Sequence, residues 1–469
     1  MIYLLSFLLL PFIGIIALMV NTFLKCRMRE EKIVGVVIAG TVAIFFGGLA
    51  LGFKGISIDL VSKIGFSFSL GINSLSLPFM LIAVIIPGAL LYTAYKEIKD
   101  NKAFFYILYL ITYASLISVF ISYNFILLFI FWEAAVLSLF FIISFWGDKD
   151  TGRASGMKFL VFTQLSSLAL LAVILLLFSY TGSFSLYSIL QLASSIPLLI
   201  QYVILFFLLV TVMIKMPLFP LHAWMPDSYL SAPTTGTVLL SSLLSKLGVY
   251  AFLLIGFEMI PAAILHARII LIGIGLLTVL YIAVVATSQR NLKKLFSYSS
   301  MIYMAMIFIG ISSLTTAGAD GAIVLTVSHS FIIAMLFILT GTLKSRSGSY
   351  EISTMGGYGA KMPALSVFFV FAVLAVMGVP GLSNFVGEFL VFFGAYSVLP
   401  IALIGLIGVI ISTNYYLSAI KNVIFGRLSR AGLRDIGKLE TLQMLLLSSF
   451  VVLVGVLPNL IISMSRGLI

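Results

Sequence analysis

The chain has 469 residues, of which 62% are hydrophobic and 9% are charged. Soluble domains carry charge on about a quarter of their residues, so this composition excludes an ordinary soluble protein and indicates a membrane protein. The net charge of +12 does not indicate nucleic-acid binding, because the basic residues lie in short connections between apolar runs. The single cysteine, Cys26, excludes a disulfide framework, an iron–sulfur cluster and a cysteine zinc site, so any redox chemistry belongs to partner chains.

Fourteen apolar runs follow one another along the chain, each long enough for a membrane helix of about 20 residues. The predicted helices lie at 2–24, 33–51, 74–95, 103–121, 124–146, 156–179, 198–219, 234–256, 267–288, 295–313, 321–343, 363–399, 400–425 and 441–464. The first run has no basic leader or small-residue cleavage site, so we expect it to stay as the first helix. The sequence therefore predicts an all-α membrane protein with about fourteen transmembrane helices.

The charges of the connections support this count. Alternate connections carry 21 of the 27 Lys and Arg residues, whereas the opposite face with both termini carries four, namely Lys54, Lys63, Arg268 and Arg466. Basic connections stay on the cytoplasmic side of a membrane. We therefore predict a multi-pass protein of a prokaryotic plasma membrane with both termini on the outer side.

Five ionisable residues lie inside the apolar runs, namely Glu133, Lys215, Lys246, His329 and Glu388. A charge at the bilayer centre costs about 2.5–3.5 kcal/mol, so such residues face the bundle interior and mark ion pathways. The structural alternative is a buried ion pair between Glu133 and a lysine, together with a hydrogen-bonded core histidine at 329. Buried pairs are often no more stabilising than apolar replacements, so the whole set favours an ion pathway.

Four further residues are candidates for the same pathway. Lys158, Lys293 and Lys294 lie at predicted helix ends, where a lysine can instead extend its ammonium group to the membrane interface. His222 lies in a proline-rich run that follows Lys215.

Two of the predicted helices cannot be continuous. The run IKMPLFPLHAWMPDSYLSAPT places four prolines in and after the seventh helix, which is therefore predicted to break near Lys215. The twelfth helix is too long for one straight crossing and contains GVPGLSN, so it is predicted to break near Pro380 and Gly381, with Ser383 or Asn384 as the cap of its second half. Non-helical backbone at this depth is tolerated only inside protein or beside a wet cavity, so both breaks are predicted to mark a path.

The two breaks have equivalent positions in two units of five helices, 103–257 and 266–425. The remaining segments are 1–102, with three helices, and 426–469, with one. Because five is odd, the second unit runs through the membrane in the opposite sense to the first. This arrangement is the inverted repeat with broken helices that many secondary transporters share.

Five segments of the chain resemble one known family in their order. They are FWE with Glu133, KMPLFPLHAWMPDSYLSAPT, SKLGVYAF with Lys246, QRNLKKLFSYSS, and GVPGLSNFVGEF with Glu388. They closely resemble the antiporter-like subunits of respiratory complex I, group 4 membrane-bound hydrogenases and Mrp cation/proton antiporters. The resemblance implies an ion pair between Glu133 and Lys215, followed by a hydrated axis through Lys246 and His329 to Glu388.

Three details refine this resemblance. Glu388 is similar to the NuoM type, whereas other branches have lysine at this position. Tyr303 stands where a histidine often follows the SYSS segment in the family. The chain ends soon after the fourteenth helix, so we expect it to lack the long lateral helix of another branch.

These features predict a proton-translocating subunit of a multisubunit redox-driven complex, either a complex I-like NADH/quinone oxidoreductase or a membrane-bound hydrogenase. The predicted partners are homologous antiporter-like subunits, small membrane subunits and a peripheral redox arm. A subunit of an Mrp-type Na⁺/H⁺ antiporter without redox chemistry is the alternative, and a scaffold with a vestigial polar axis is a third. The sequence has no HExxH, Walker-type glycine loop or dinucleotide fingerprint, so we expect no redox site, cofactor or metal in this chain.

Overall fold

A computed structural model of the chain describes residues 2–24, 28–61, 65–427 and 432–465. Cys26, Lys63 and Arg466 lie outside the described residues. The helices are α1 (Ile2–Phe23), α2 (Glu30–Leu51), α3 (Ser76–Glu97), α4 (Lys102–Ile121), α5 (Phe125–Trp146), α6 (Gly152–Thr181), α7 (Leu186–Leu192), α8 (Leu198–Lys215), α9 (Met225–Ser231), α10 (Thr234–Leu239), α11 (Ser245–Ala251), α12 (Pro261–Thr287), α13 (Leu292–Ser312), α14 (Thr316–Ser347), α15 (Pro363–Val376), α16 (Ser383–Val398), α17 (Gly405–Ile424), α18 (Lys438–Val456) and α19 (Asn459–Ser465).

The predicted helical membrane fold is confirmed. Across the described ranges, thirteen helical spans are long and apolar enough to cross a membrane. The broken pair α15 and α16 supplies a further crossing, which is not among the thirteen because each half is too short alone. The span Thr234–Phe257 is also irregular, since it consists of α10, a π-helical turn at Leu240–Leu244, α11 and a second π-helical segment at Phe252–Phe257.

Two small elements that precede α8 were not predicted. Strands β1 (Ile56–Val61) and β2 (Phe66–Leu70) form an antiparallel hairpin between α2 and α3, with Ile56 opposite Leu70. The short helix α7 lies between α6 and α8. Both elements lie in connections between the apolar runs, where the sequence pattern predicted no helix or strand.

Burial divides the helices into central and peripheral ones. The most apolar windows of Thr234–Phe257 and of α14 are 100% buried, and that of α13 is 94% buried. The corresponding window of α1 is only 28% buried, and the exposed side chains of α1 are apolar residues such as Phe12 and Ile16. The helices that carry Lys246 and His329 are therefore at the centre of the bundle.

The two predicted units show the same order of packing. In the first unit α4, α5, α6 and α8 each pack against the next, and in the second α12, α13, α14 and α16 do the same. The units meet where α9 packs on α13 and where α10 packs on α14. The inverted relation of the units and the segment boundaries stay predictions.

Candidate functional site

The first break leaves a buried lysine at the end of a helix. Helix α8 ends at Lys215, as predicted, and the backbone stays non-helical until α9 begins at Met225. The Lys215 side chain is 1% exposed, and no described protein atom accepts a hydrogen bond from its Nζ atom. Its nearest aromatic contact is Trp132, whose ring centroid lies 5.0 Å from Nζ, a distance at which a cation–π interaction is effective.

Glu133 follows Trp132 on α5, but it does not contact Lys215 directly. One Glu133 carboxylate oxygen accepts a hydrogen bond of 2.8 Å from Gln164 Nε2, and the other has no hydrogen-bond partner in the described protein. The two charged groups are not within ion-pair distance among the described residues. The ion pair that the resemblance implies is therefore not formed in this arrangement, although the Glu133 carboxylate is close enough to act on Lys215 electrostatically.

The second lysine lies on the helix that packs directly on Lys215. A Cβ atom at Gly248 would lie 2.9 Å from the Lys215 Cβ atom, so only glycine lets α11 approach α8 this closely. Lys246 is 0% exposed, and its Nζ atom donates hydrogen bonds of 2.7 Å to the Ser241 carbonyl oxygen and 3.3 Å to Ser245 Oγ. Ser241 lies in the first π-helical turn, a geometry that is frequent at functional sites.

His329 is buried in α14 and contacts two residues of α13. Its Nε2 atom lies 3.0 Å from Ser300 Oγ, while Nδ1 has no hydrogen-bond partner in the described protein. The Tyr303 ring stacks on the imidazole with a centroid separation of 4.7 Å and an interplanar angle of 18°. Lys246 is close enough to act on His329 electrostatically.

Tyr303 connects His329 to the second break. Its hydroxyl donates to the carbonyl oxygen of Val376, the last residue of α15, and the ring is close enough to the Glu388 carboxylate to interact with it electrostatically. That carboxylate belongs to α16 and is buried beside Gly378, where a Cβ atom would lie 2.7 Å from it. Gly378 has a φ of +70°, so glycine provides both the turn and the room for Glu388.

The predicted cap of α16 is wrong. The helix begins at Ser383 itself, with Leu382 before it and no side-chain cap. Asn384 instead accepts a hydrogen bond of 2.6 Å from Ser328 Oγ on α14, so the partner helix determines its orientation. The break itself, over residues 377–382, lies where GVPGLSN predicted it.

Glu388 also lies at the floor of a groove on the outer surface of the bundle. The groove has a volume of ≈ 350 Å³, and exposed aromatic side chains including Phe389, Phe393 and Tyr396 line it. Glu388 is thus the acidic residue among the side chains that line this groove.

The other candidates lie away from this line of residues. Lys158 forms an ion pair of 2.7 Å with Asp227 of α9. His222 is half-buried in the first break, and its ring lies near the rings of Phe219 and Tyr281. Lys293 does not extend to the membrane interface, as it is 2% exposed and donates to backbone carbonyl groups.

A comparison with models of known protein families identifies the family of this chain. Residues 122–413 match the family model described as the NADH:quinone oxidoreductase/Mrp antiporter transmembrane family. The chain belongs to this family. The match covers both helix breaks and every residue of the predicted pathway, so the resemblance read from the sequence motifs is confirmed.

The relatives of this chain include subunits whose names refer to redox enzymes. The chain is 33% identical over 412 residues to NADH-quinone oxidoreductase subunit M of Rickettsia conorii, covering 86% of this chain and 82% of the relative. It is 32% identical over 421 residues to F(420)H(2) dehydrogenase subunit M of Methanosarcina mazei, covering 87% and 84%. A chain of respiratory complex I from Thermus thermophilus has a TM-score of 0.89 and 25% identity, covering 99% of this chain and 98% of that one.

The predictions about membrane class and complex membership are confirmed at this level. The chain is a multi-pass, antiporter-like membrane subunit of the kind that multisubunit respiratory complexes contain. The roles of individual residues in this family member stay predictions.

Three contacts in this antiporter-like subunit were not found from the sequence. They are the hydrogen bond of Gln164 to Glu133, that of Ser300 to His329, and the cation–π contact of Trp132 with Lys215. Gln164 and Ser300 lie inside apolar runs, so a search for buried polar residues that includes neutral ones would have marked them.

Proposed function

We propose that this chain translocates protons across the membrane within a redox-driven multisubunit complex. The observation that carries the proposal is the buried line of polar side chains between the two helix breaks, which runs from Lys215 through Lys246, His329 and Tyr303 to Glu388. Each break lies at one end of this line. Ionisable side chains that are buried inside a membrane bundle typically mark ion pathways and proton relays.

The first step of the proposed route is a change in the surroundings of Lys215. Burial disfavours the charged ammonium, whereas a carboxylate within about 4–6 Å favours it. The Glu133 carboxylate is held by Gln164 in this arrangement, and rotation of its side chain towards Lys215 would increase the proton affinity of the lysine. Rotation back would release the proton towards Lys246.

The later steps follow the central helices. A proton from Lys246 passes to His329, whose Nδ1 atom is free within the described protein, and then past Tyr303 to Glu388. Moving one charge against 100 mV requires about 2.3 kcal/mol. A change of ion pairing at a buried site is of this size or larger, so the switch at Lys215 can drive the transfer.

The test of this proposal is proton pumping by the intact complex in sealed vesicles. With a two-electron donor and a quinone or another electron acceptor supplied, we expect acidification of the vesicle lumen that a protonophore abolishes. If the complex exchanges Na⁺ for H⁺ without any electron donor, the Mrp-type alternative is correct instead.

We further propose that the chain lies in the plasma membrane of a prokaryote with its termini outside. In a Cys26→Ser background, we expect a membrane-impermeant maleimide to label cysteines at Lys99 and Lys361 only from the cytoplasmic side. A cysteine at Lys54 should be labelled only from the outer side. All three side chains are exposed, and the basic loops set the orientation. Labelling of all three cysteines from one side would contradict the predicted crossings.

The Tyr303 hydroxyl is proposed to connect His329 with Glu388. Tyr303→Phe keeps the ring that stacks on His329 and removes only the hydroxyl. One buried hydrogen bond is worth about 1 kcal/mol, so we expect the pumping rate to fall about fivefold while electron transfer is retained in an uncoupled complex.

Tyr109→Phe is the matched control for this change. Tyr109 is also buried, and its hydroxyl donates a hydrogen bond of 2.5 Å to the Pro87 carbonyl oxygen on α3. An equal loss of pumping in both variants would show that the effect comes from lost packing rather than from the position of Tyr303.

A further inference from the structure

The connection between α9 and α10 lies in a region where the two units meet. It consists of Ala232 and Pro233 only. A helix end leaves backbone carbonyl groups without partners, and the next helix start leaves N–H groups without partners. At this connection, side chains from two distant helices supply both kinds of partner.

Lys293 binds the carbonyl side of the connection. Its Nζ atom donates hydrogen bonds of 2.6 Å to the Ala232 carbonyl oxygen and 3.2 Å to that of Leu230. The carbonyl oxygen between them, of Ser231, accepts a hydrogen bond of 2.7 Å from the Asp148 backbone N–H. The last three carbonyl groups of this segment are thus all bound by other elements. A cation at the C-terminal end of a helix also complements the helix dipole.

Glu97 binds the N–H side of the connection. One carboxylate oxygen accepts a hydrogen bond of 2.6 Å from the Thr234 backbone N–H, and the other accepts one of 3.0 Å from that of Thr235. The second oxygen also accepts from the Thr235 hydroxyl at 3.1 Å. A carboxylate bound to the first N–H groups of a helix is a strong cap.

The two charged residues share one polar environment. Glu97, Asp148 and Lys344 act electrostatically on Lys293, and the Lys293 Nζ atom lies 5.4 Å from the centroid of the Tyr350 ring. The connection borders a cavity of ≈ 460 Å³ that Glu97, Asp148 and Lys344 help to line. The Lys293 side chain is therefore buried with carbonyl acceptors on one side and acidic neighbours nearby.

We propose that Lys293 and Glu97 form a clamp on the α9–α10 connection and thereby position the two lysines of the proton route. Lys293 is a positioning residue and not a proton carrier. The effect on pumping rests on the proposed function, whereas the clamp itself is tested without it. The clamp also gives a role to the QRNLKK segment, in which Lys293 lies.

Short bonded paths connect the clamp with Lys215 and with Lys246. At the start of α9, Trp224 Nε1 donates a hydrogen bond of 3.0 Å to the Ile214 carbonyl oxygen, next to Lys215. On the other side, the helical span that begins at Thr234 continues to Lys246. A displacement of the connection therefore moves the surroundings of both ammonium groups.

The test uses hydrogen–deuterium exchange and pumping of the intact complex in parallel. Lys293→Met removes the donor, and Glu97→Gln weakens the cap. Hydrogen bonds to charged groups are stronger than neutral ones, so we expect amide exchange over residues 230–237 to rise at least about tenfold in both variants. Pumping should fall by about the same factor.

Two further variants separate a clamp from a proton carrier. Lys293→Arg keeps a charge and several donors but cannot release its proton, so it should retain slow exchange and most of the pumping. Lys361→Met changes an exposed lysine outside the clamp and the proton route, and both measurements should stay as in the parent protein.

Comparing amide exchange with proton pumping in each variant tests the proposal. The proposal predicts that pumping falls only where exchange rises. A variant at Lys293 that loses pumping with unchanged exchange would identify a proton carrier and overturn the clamp. Raised exchange with normal pumping would overturn the positioning role of the clamp. If Lys293→Met does not assemble, Lys293→Arg and Glu97→Gln provide the same comparison. Normal pumping by a Lys215→Met variant would refute the proposed function and leave the exchange result for the clamp intact.

Discussion

Replacement of Lys215 by methionine is expected to abolish proton pumping in an assembled complex. Methionine has a similar unbranched shape and can pack against Trp132 and Gly248, but it cannot bind a proton. Loss of a positioned proton-transfer group typically costs about 10²–10⁴-fold in rate, so pumping should fall by roughly two orders of magnitude. Lumen acidification of reconstituted vesicles, measured per electron transferred, is the direct readout.

Two companion variants define what Lys215 does. Lys215→Arg keeps the charge but remains protonated, so it should not restore pumping. Glu133→Gln removes the charge that is proposed to switch the lysine and should also be defective. Lys361→Met changes an exposed lysine and serves as the control for expression and assembly. Normal pumping by both Lys215→Met and Glu133→Gln would refute the proposed switch.

Replacement of Glu388 by glutamine is expected to have a similarly large effect. Glutamine preserves the shape and hydrogen bonding beside Tyr303 but does not ionise, so the proposed final proton acceptor is lost. We expect a decrease of about 10²-fold. Glu388→Lys should retain part of the pumping, because a lysine can also accept and release a proton at the end of the route.

Glu258→Gln is the matched control for Glu388. Glu258 is a half-buried acid at the end of the second π-helical segment, and one of its carboxylate oxygens has no hydrogen-bond partner in the described protein. It lies outside the proposed route, so its variant should pump normally. If Glu388→Gln pumps as well as the parent protein and only Glu388→Ala is defective, Glu388 is structural and the exit lies elsewhere.

The sequence predicts the helices and breaks well because their causes are local. Prolines such as Pro217 and Pro220 cannot continue a helix, so the end of α8 at Lys215 could be read directly. The pair Pro380 and Gly381 likewise predicted the second break. Long apolar runs likewise require membrane helices, since lipid offers no partner for the backbone.

The contacts of the site could not be predicted because they join residues that are distant in the sequence. Glu97 binds Thr234 across 137 positions, and Tyr303 reaches Val376 across 73. Lys293 lies near a helix end, which favours an interfacial lysine on local grounds alone, yet α9 brings carbonyl groups to it. The capping role expected of Asn384 failed for the same reason, because Ser328 of another helix binds its side chain.

The most apolar window of the span Thr234–Phe257 is completely buried, which has a consequence for membrane insertion. A lysine at the centre of a helix costs about 2.5–3.5 kcal/mol in lipid, and the many leucines of this span, including Leu243, Leu244 and Leu247, offset that cost during insertion. Once in the bilayer, however, the span has no surface suited to lipid around Lys246, and α13 and α14 are synthesised after it. We therefore expect this span to stay beside the insertion machinery until α14 covers the lysine.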